Sequence, residues 1–282
     1  MKVEDELLAI VRRRLGAGLL GPGDDVDFIK VGDYRLVFNV DGFSAKGVLL
    51  EFMDLRDVGW RGVTACVSDL VAKLVKPKYF LHSVYGSDVE EVREIVEGIV
   101  EAAEEYGLAF LGADTNKGEA AVDVFCFGLS DLDPPRLGGA RPGDKVVVPE
   151  GCWGCINRCL RGEYWEHCKR PKVPLELLER LRGYEKYVHA STDSSDGLVI
   201  SLYKLAWASG VTIALHEPPP GPLGEEGLYG GEEYLPVFVV DPSASEAVEE
   251  AVKGRAIGEV LPGRPEVVYK GRTLDPRGWE WF

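Results

Sequence analysis

Apolar positions recur along this chain with two alternating periods. Residues 5–15 put Leu7, Leu8, Val11 and Leu15 on one helical stripe, closed by Gly16. GPGDD (21–25) reads as a turn, and the alternation over 26–41 predicts strands. From Val58 to Val75 the helical period returns, with Val63, Val67, Leu70 and Leu74 at core spacing. Tyr79–Tyr85 alternates as a strand. Ser87 and Glu90 stand at capping-box spacing before a long helix reaching Glu105, with core stripe Val92, Val96, Ile99, Val100 and Ala103. Leu108–Leu111 and Ala121–Leu129 read as strands.

PPRLGGARPGD (134–144) interrupts this pattern and marks a boundary between domains 1–135 and 136–282. Beyond it, Lys145–Val148, Val211–Leu215 and Tyr234–Val240 read as strands, and Val173–Leu181, Gly197–Ser209 and Ser243–Val252 as helices. Pro218–Gly231 is a proline-rich loop, and short strands lead to a terminal GWEWF. Strands alternate with helices in both halves, so the fold class expected is α/β (mixed α+β) in two domains.

Composition narrows the function. The 282 residues are 45% hydrophobic and 28% charged, which suffices for a sizeable core. No apolar run reaches the roughly 18 residues of a membrane span. MKVEDELLAIVRRRLG is not patterned as a signal peptide, so a cytoplasmic protein is expected. A net charge of −15 argues against nucleic acid or anionic lipid as partner, and requires metal cations if a polyanionic substrate is to approach acidic residues. Gln is absent, and there are three Asn and two Met. Scarcity of thermolabile residues points to a thermophile.

The chain has no GxxxxGK[ST], Rossmann fingerprint, GxSxG or HExxH, and its four histidines have no metal-pair spacing. What recurs is aspartate at breaks in structure: Asp24 and Asp25 in GPGDD, Asp41 in NVDG, Asp69 in VSDL, Asp114 in GADT, and Asp193 and Asp196 in TDSSDG. Each alone is also what a turn or helix cap calls for, except Asp69, which falls inside an expected helix where a solvated face is the plain alternative. Together, short stiff carboxylates beside glycine suit Mg2+ ions bridging phosphates, with one or two carboxylates per ion.

In order, GPGDD, VDG, SDL, GADTNKG, GARPGD, TDSSDGL, GGEEY, IGEVLPG and GWEWF resemble the pattern of thiamine-monophosphate kinases, within the superfamily that includes aminoimidazole ribonucleotide synthetase. The resemblance implies an N-terminal α/β domain that pairs in a homodimer and a C-terminal domain that closes the cleft. It implies Mg2+-dependent transfer of the ATP γ-phosphoryl group to a substrate phosphate. On it, Asp24, Asp41, Asp69, Asp114, Asp193 and Asp196 are metal ligands, with Asp25 beside them. Gly112, Asp114, Ser195 and either Arg136 or Arg141 face ATP, and Trp279 packs on the thiamine rings. Some substrate motifs depart. GFSAKGVLL lacks the family's His and has Leu49 instead. GGEEYLPVF has Leu235 where the family has a substrate-contacting Glu, so Glu232 or Glu233 would substitute with a shift. Lys73-Leu74-Val75 replaces Met-Gly-Ala. A paralogue that uses ATP on another small acceptor is the alternative.

Cys152, Cys155, Cys159 and Cys168 fall in one segment, CWGCINRCLRGEYWEHC. Disulfides, a metal site and free thiols all fit that spacing, and a structural role is expected.

Overall fold

A computed structural model of the chain describes residues 3–16, 18–21 and 23–278, with side chains from residue 6 onward. Helix α1 (Val3–Leu15) leads into the hairpin β1 (Asp27–Val31) and β2 (Tyr34–Ser44), turned by Gly32 and Asp33. A short α2 (Ala45–Val48) precedes α3 (Leu55–Ala72), β3 (Pro77–Gly86), α4 (Val89–Tyr106), β4 (Ala109–Lys117) and β5 (Ala121–Ser130). The first sheet has the order β1-β2-β5-β3-β4. Its one parallel pair is β3 and β4, and α4 supplies the crossover such a pair requires.

The second half holds β6 (Lys145–Pro149), α5 (Cys155–Cys159), α6 (Glu166–Lys169), α7 (Glu176–Arg180), β7 (Val188–Asp193), α8 (Leu198–Ser209), β8 (Thr212–Leu215), β9 (Pro236–Val240), α9 (Ser245–Val252), β10 (Gly254–Leu261), β11 (Glu266–Tyr269) and β12 (Arg272–Thr273). Its sheet has the order β12-β11-β8-β10-β6-β9-β7.

Helix α3 joins the halves. Asp54 caps it by accepting from the amides of Arg56 and Asp57, while Asp57 returns a carboxylate to the Asp54 amide. The helix is buried on almost every side, its apolar and small residues joined by the ion-paired Asp57 and Arg61. Gly59 and Gly98 let α3 and α4 touch backbone to backbone: a Cβ on Gly59 would lie 2.0 Å from the Ile95 carbonyl. The core beneath α3 combines Val63, Val67 and Leu70 with Val124 and Cys126 of one sheet and Phe238 and Val240 of the other.

Four local expectations change. Helix α3 stops at Ala72, and Leu74 turns left-handed (φ 59) as the Val75 amide bonds back to the Leu70 carbonyl. Leu74 therefore leaves the helical stripe. Asp88, not Ser87, caps α4, accepting from the amides of Glu90 and Glu91. On α4 the buried face runs through Ile95, Ile99, Ala102 and Tyr106, and Val100 faces outward. The expected helix over 173–181 is shorter, at Glu176–Arg180.

The cysteines form two disulfides, Cys152–Cys155 and Cys159–Cys168. They staple a small knob whose core packs on Leu50, Phe52 and Met53.

Candidate active site

Three segments from both halves of the chain converge on one acidic cluster. Asp25 comes from the loop before β1, Asp69 from the last turn of α3 and Asp193 from the end of β7. One carboxylate oxygen of each lies within 4.8 Å of the others. Octahedral Mg2+ takes oxygen ligands at about 2.1 Å, so its ligand oxygens lie about 3–4.2 Å apart, and this hard all-oxygen set fits that ion.

The carboxylates are held by neighbouring donors. Asp69 Oδ2 accepts from Asn39 Nδ2 at 2.9 Å, and Asn39 also donates to the Cys66 carbonyl. Asp193 Oδ2 accepts from Ser68 Oγ at 2.6 Å, and its Oδ1 from Ser195 Oγ at 3.3 Å. Burial, then Asp193, Asp25 and Asp41 push the Asp69 carboxyl well above its ordinary range. Burial and then Asp25 push Asp193 up to about 7. Crowded anions raise one another's proton affinity, and a divalent cation relieves that crowding.

The other sequence candidates occupy distinct places. Asp24 faces Lys73, whose Nζ is 2.6 Å away, and accepts the Leu137 amide at 3.0 Å. Asp41 lies on the same face of β2 as Asn39 and acts on the cluster through its charge. Asp196 pairs with Lys204 at 3.2 Å. Ser195 sits beside Asp193, just before the N-terminus of α8. Gly112 and Asp114 lie on β4, with Asp114 in register with Ser83. That register places Asp114 on the sheet face turned away from α3, so one chain does not bring it to the cluster. Arg136 forms a bridge with Ala190, next to the amide that caps Asp24. Arg141 lies beyond the other end of β7, where its amide donates to Asp144 and its charge acts on Asp241.

Glu232 (φ 57) pairs with Arg61 of α3 and borders a cavity of about 510 Å³. Ile156, Asn157 and Leu160 of the disulfide knob, Tyr229 and Gly278 also line it. Trp279 lies outside the described residues, immediately after Gly278. Glu233 is fully buried, accepting from the Gly154 amide and Ser194 Oγ, both at 2.9 Å. Leu235 is buried in the second core, and Leu49 caps α2.

Three cations near the site have no role assigned from sequence motifs: Arg61, Lys73 and Lys204. Each is the sole charge in an uncharged run: 58–68, 70–75 and 198–209, respectively. A lone cation in an apolar helix was the available signal, because it survives burial only opposite an anion. For Lys204, burial works to lower the pKa, and Asp196, then Asp25 and Asp193 outweigh it.

Residues 23–130 match the family model for the AIR synthase related protein, N-terminal domain. The chain is 35% identical to a thiamine-monophosphate kinase of Pyrobaculum calidifontis, over 92% of this chain and 90% of that one. It is 33% identical to a thiamine-monophosphate kinase of Methanopyrus kandleri, over 95% of this chain and 86% of that one. Its fold matches AaThiL complexed with AMPPCP and TMP, with a TM-score of 0.84 and 25% identity over 100% of this chain and 99% of that one. Identities of 35% and 33% over nearly the whole length of these relatives, with a matching fold, place this chain in the thiamine-monophosphate kinase family.

Proposed function

We propose that this chain transfers the γ-phosphoryl group of ATP to the phosphate of thiamine monophosphate, giving thiamine diphosphate and ADP. Its family is one of ATP-dependent phosphotransferases. The observation that carries the reading is the cluster of Asp25, Asp69 and Asp193. These residues would hold Mg2+, which when bound neutralises phosphate charge as the phosphoryl group passes between anions. The chain's own residues orient and enclose the reactants. Asn39 and Ser68 fix the carboxylates, and Lys204 lies close enough to act on Asp25 and Asp193. No side-chain nucleophile is needed, since an acceptor phosphate oxygen attacks phosphorus directly.

The cavity beside Glu232 is our assignment for the acceptor, with Trp279 following its lining residue Gly278. A second copy of the chain is proposed as partner. On the sheet face opposite α3, Ile29, Val31, Tyr34, Val40, Phe125 and Leu129 are exposed, with Val31 paired to Tyr34 and Val40 to Phe125, and Leu7, Ile10, Val11 and Leu15 of α1 are exposed too. An apolar face of this extent calls for a cover. Asp114 and Gly112, on that side, would then stand at the pairing surface rather than in a one-chain site.

The test is ADP release from Mg–ATP with and without thiamine monophosphate at high temperature, with mass detection of the product. Thiamine diphosphate in step with ADP is expected. The buried Leu235, in place of a substrate-contacting Glu, supports the second reading of a different acceptor. That reading predicts Mg–ATP binding without this product.

A further inference from the structure

Lys73 is the C-cap of α3, four residues after Asp69, and its side chain is completely buried. Its Nζ lies 2.6 Å from Asp24 Oδ1, 3.2 Å from Asp25 Oδ2 and 2.6 Å from the Ser191 carbonyl. An ammonium has three N–H donors, and here three oxygens surround it. Two come from the loop before β1 and one from β7, so a residue of the helix between the sheets ties both halves together. Asp25 Oδ2 is buried, and among the described residues the Lys73 ammonium 3.2 Å away is what compensates its charge. Burying these groups unpaired would be strongly unfavourable. Asp24 has both oxygens engaged, one by Lys73 and one by the Leu137 amide. Asp25 is shared between Lys73 and the cluster with Asp69 and Asp193.

We propose that Lys73 is a resident monovalent cation of the acidic site: it occupies the place a divalent ion would take between Asp24 and Asp25, withdraws Asp24 from ligation and positions Asp25 toward Asp69 and Asp193. The inference rests on the reading of Asp25, Asp69 and Asp193 as an Mg2+ site. It makes Lys73 a positioning residue, and it makes Asp24 a counter-ion to Lys73.

The test counts Mn2+ bound to the ligand-free full-length chain, from the free-ion electron paramagnetic resonance signal, in the wild type and in the D24N, D25N and K73M variants. Circular dichroism reports folding. In D24N the Mn2+ count and affinity should stay within about twofold of wild type, whereas D25N should lose at least tenfold in affinity. K73M should bind one Mn2+ more per chain than wild type, and its melting temperature should climb more steeply with Mn2+. Equal losses in D24N and D25N overturn the inference, as does a folded K73M with the wild-type count and the wild-type melting response. If K73M does not fold, the D24N and D25N comparison decides. A wild type that binds no Mn2+ overturns the metal-site reading. In that case one ion gained by K73M upholds the role of Lys73, and none gained overturns it as well.

Discussion

Arg170, at the end of α6, places its Nε 3.0 Å from Oδ1 of Asp57, a fully buried carboxylate in the first turn of α3. The same guanidinium sits over the Trp60 ring, 5.2 Å from its centroid, and Lys169 approaches Asp57 at 3.5 Å. The exit of the disulfide knob is thereby fastened to the helix that carries Asp69. Arg170→Ala should cost about 2 kcal/mol in a denaturant titration, less than the roughly 3–5 kcal/mol of a wholly orphaned buried charge, because Lys169 remains near Asp57. An unchanged midpoint and slope would show that the pair contributes nothing.

The acidic cluster predicts opposite effects on stability and turnover. Asp69→Asn or Asp193→Asn removes one crowded carboxylate, so in EDTA the variant should melt higher than wild type. It should also lose the Mg2+-dependent rise in melting temperature and at least 100-fold in kcat. Differential scanning calorimetry in EDTA and in Mg2+, beside the ADP assay, checks both halves. A variant that melts lower in EDTA counts against the repulsion argument.

Asp114 tests the pairing surface. Asp114→Asn is an exposed substitution on β4 and should leave the melting temperature within about 2 °C of wild type. If a second copy brings this face to the reacting phosphates, turnover should nevertheless fall at least tenfold. Sedimentation of the wild type should report a dimer. A monomer with full activity would remove Asp114 from the site.

Glu233 should give stability a pH dependence of definite sign. Burial holds its carboxyl at about 7, against an ordinary 4.5. Between those values the unfolded chain has lost its proton and the folded chain retains it. Its contribution is therefore complete below pH 4.5 and is lost as pH rises to 7, by about 3 kcal/mol. Glu233→Gln can keep the bonds to Gly154 and Ser194 without the charge. Denaturant titrations from pH 4.5 to 8 should show the variant gaining on wild type as pH rises. A constant difference across that range would refute the assignment.

The knob predicts a split between substrates. Ile156, Asn157 and Leu160, on α5 and at its C-cap, line the cavity proposed for the acceptor, and the two disulfides hold this segment. The double variant Cys159→Ser, Cys168→Ser should lose roughly 2–3 kcal/mol of stability, as expected for opening a loop of this length. Its KM for thiamine monophosphate should rise several-fold while its KM for ATP stays near wild type. Equal changes in both would mean that the knob does not border the acceptor.

Much of the architecture was legible before the structure because it rests on local periodicity. The alternation in 26–41 and the helical period from Val58 each describe contacts near in sequence, and β1, β2 and α3 follow them. Most details that differ are end effects. Ser87 and Asp88 are equally good caps by composition, and backbone geometry chose Asp88. Leu74 fits a helical stripe, yet the chain must turn there to start β3, and the helix closes on the Leu70 carbonyl.

What the sequence determined by itself is a recurring set of aspartates, apolar faces for two sheets, and four cysteines close enough to pair. Which aspartates meet was decided only by tertiary structure. Asp25, Asp69 and Asp193 converge because α3 packs between a loop of one sheet, 44 residues before Asp69, and a strand of the other, 124 residues after it, contacts that no local period encodes. The same packing set Asp24 against Lys73, left Asp114 on the opposite face of its sheet, and buried Leu235 while Glu232 reached the cavity. The physical reason is that a carboxylate's role depends on the charges and donors around it, and those arrive from distant segments only when the core closes.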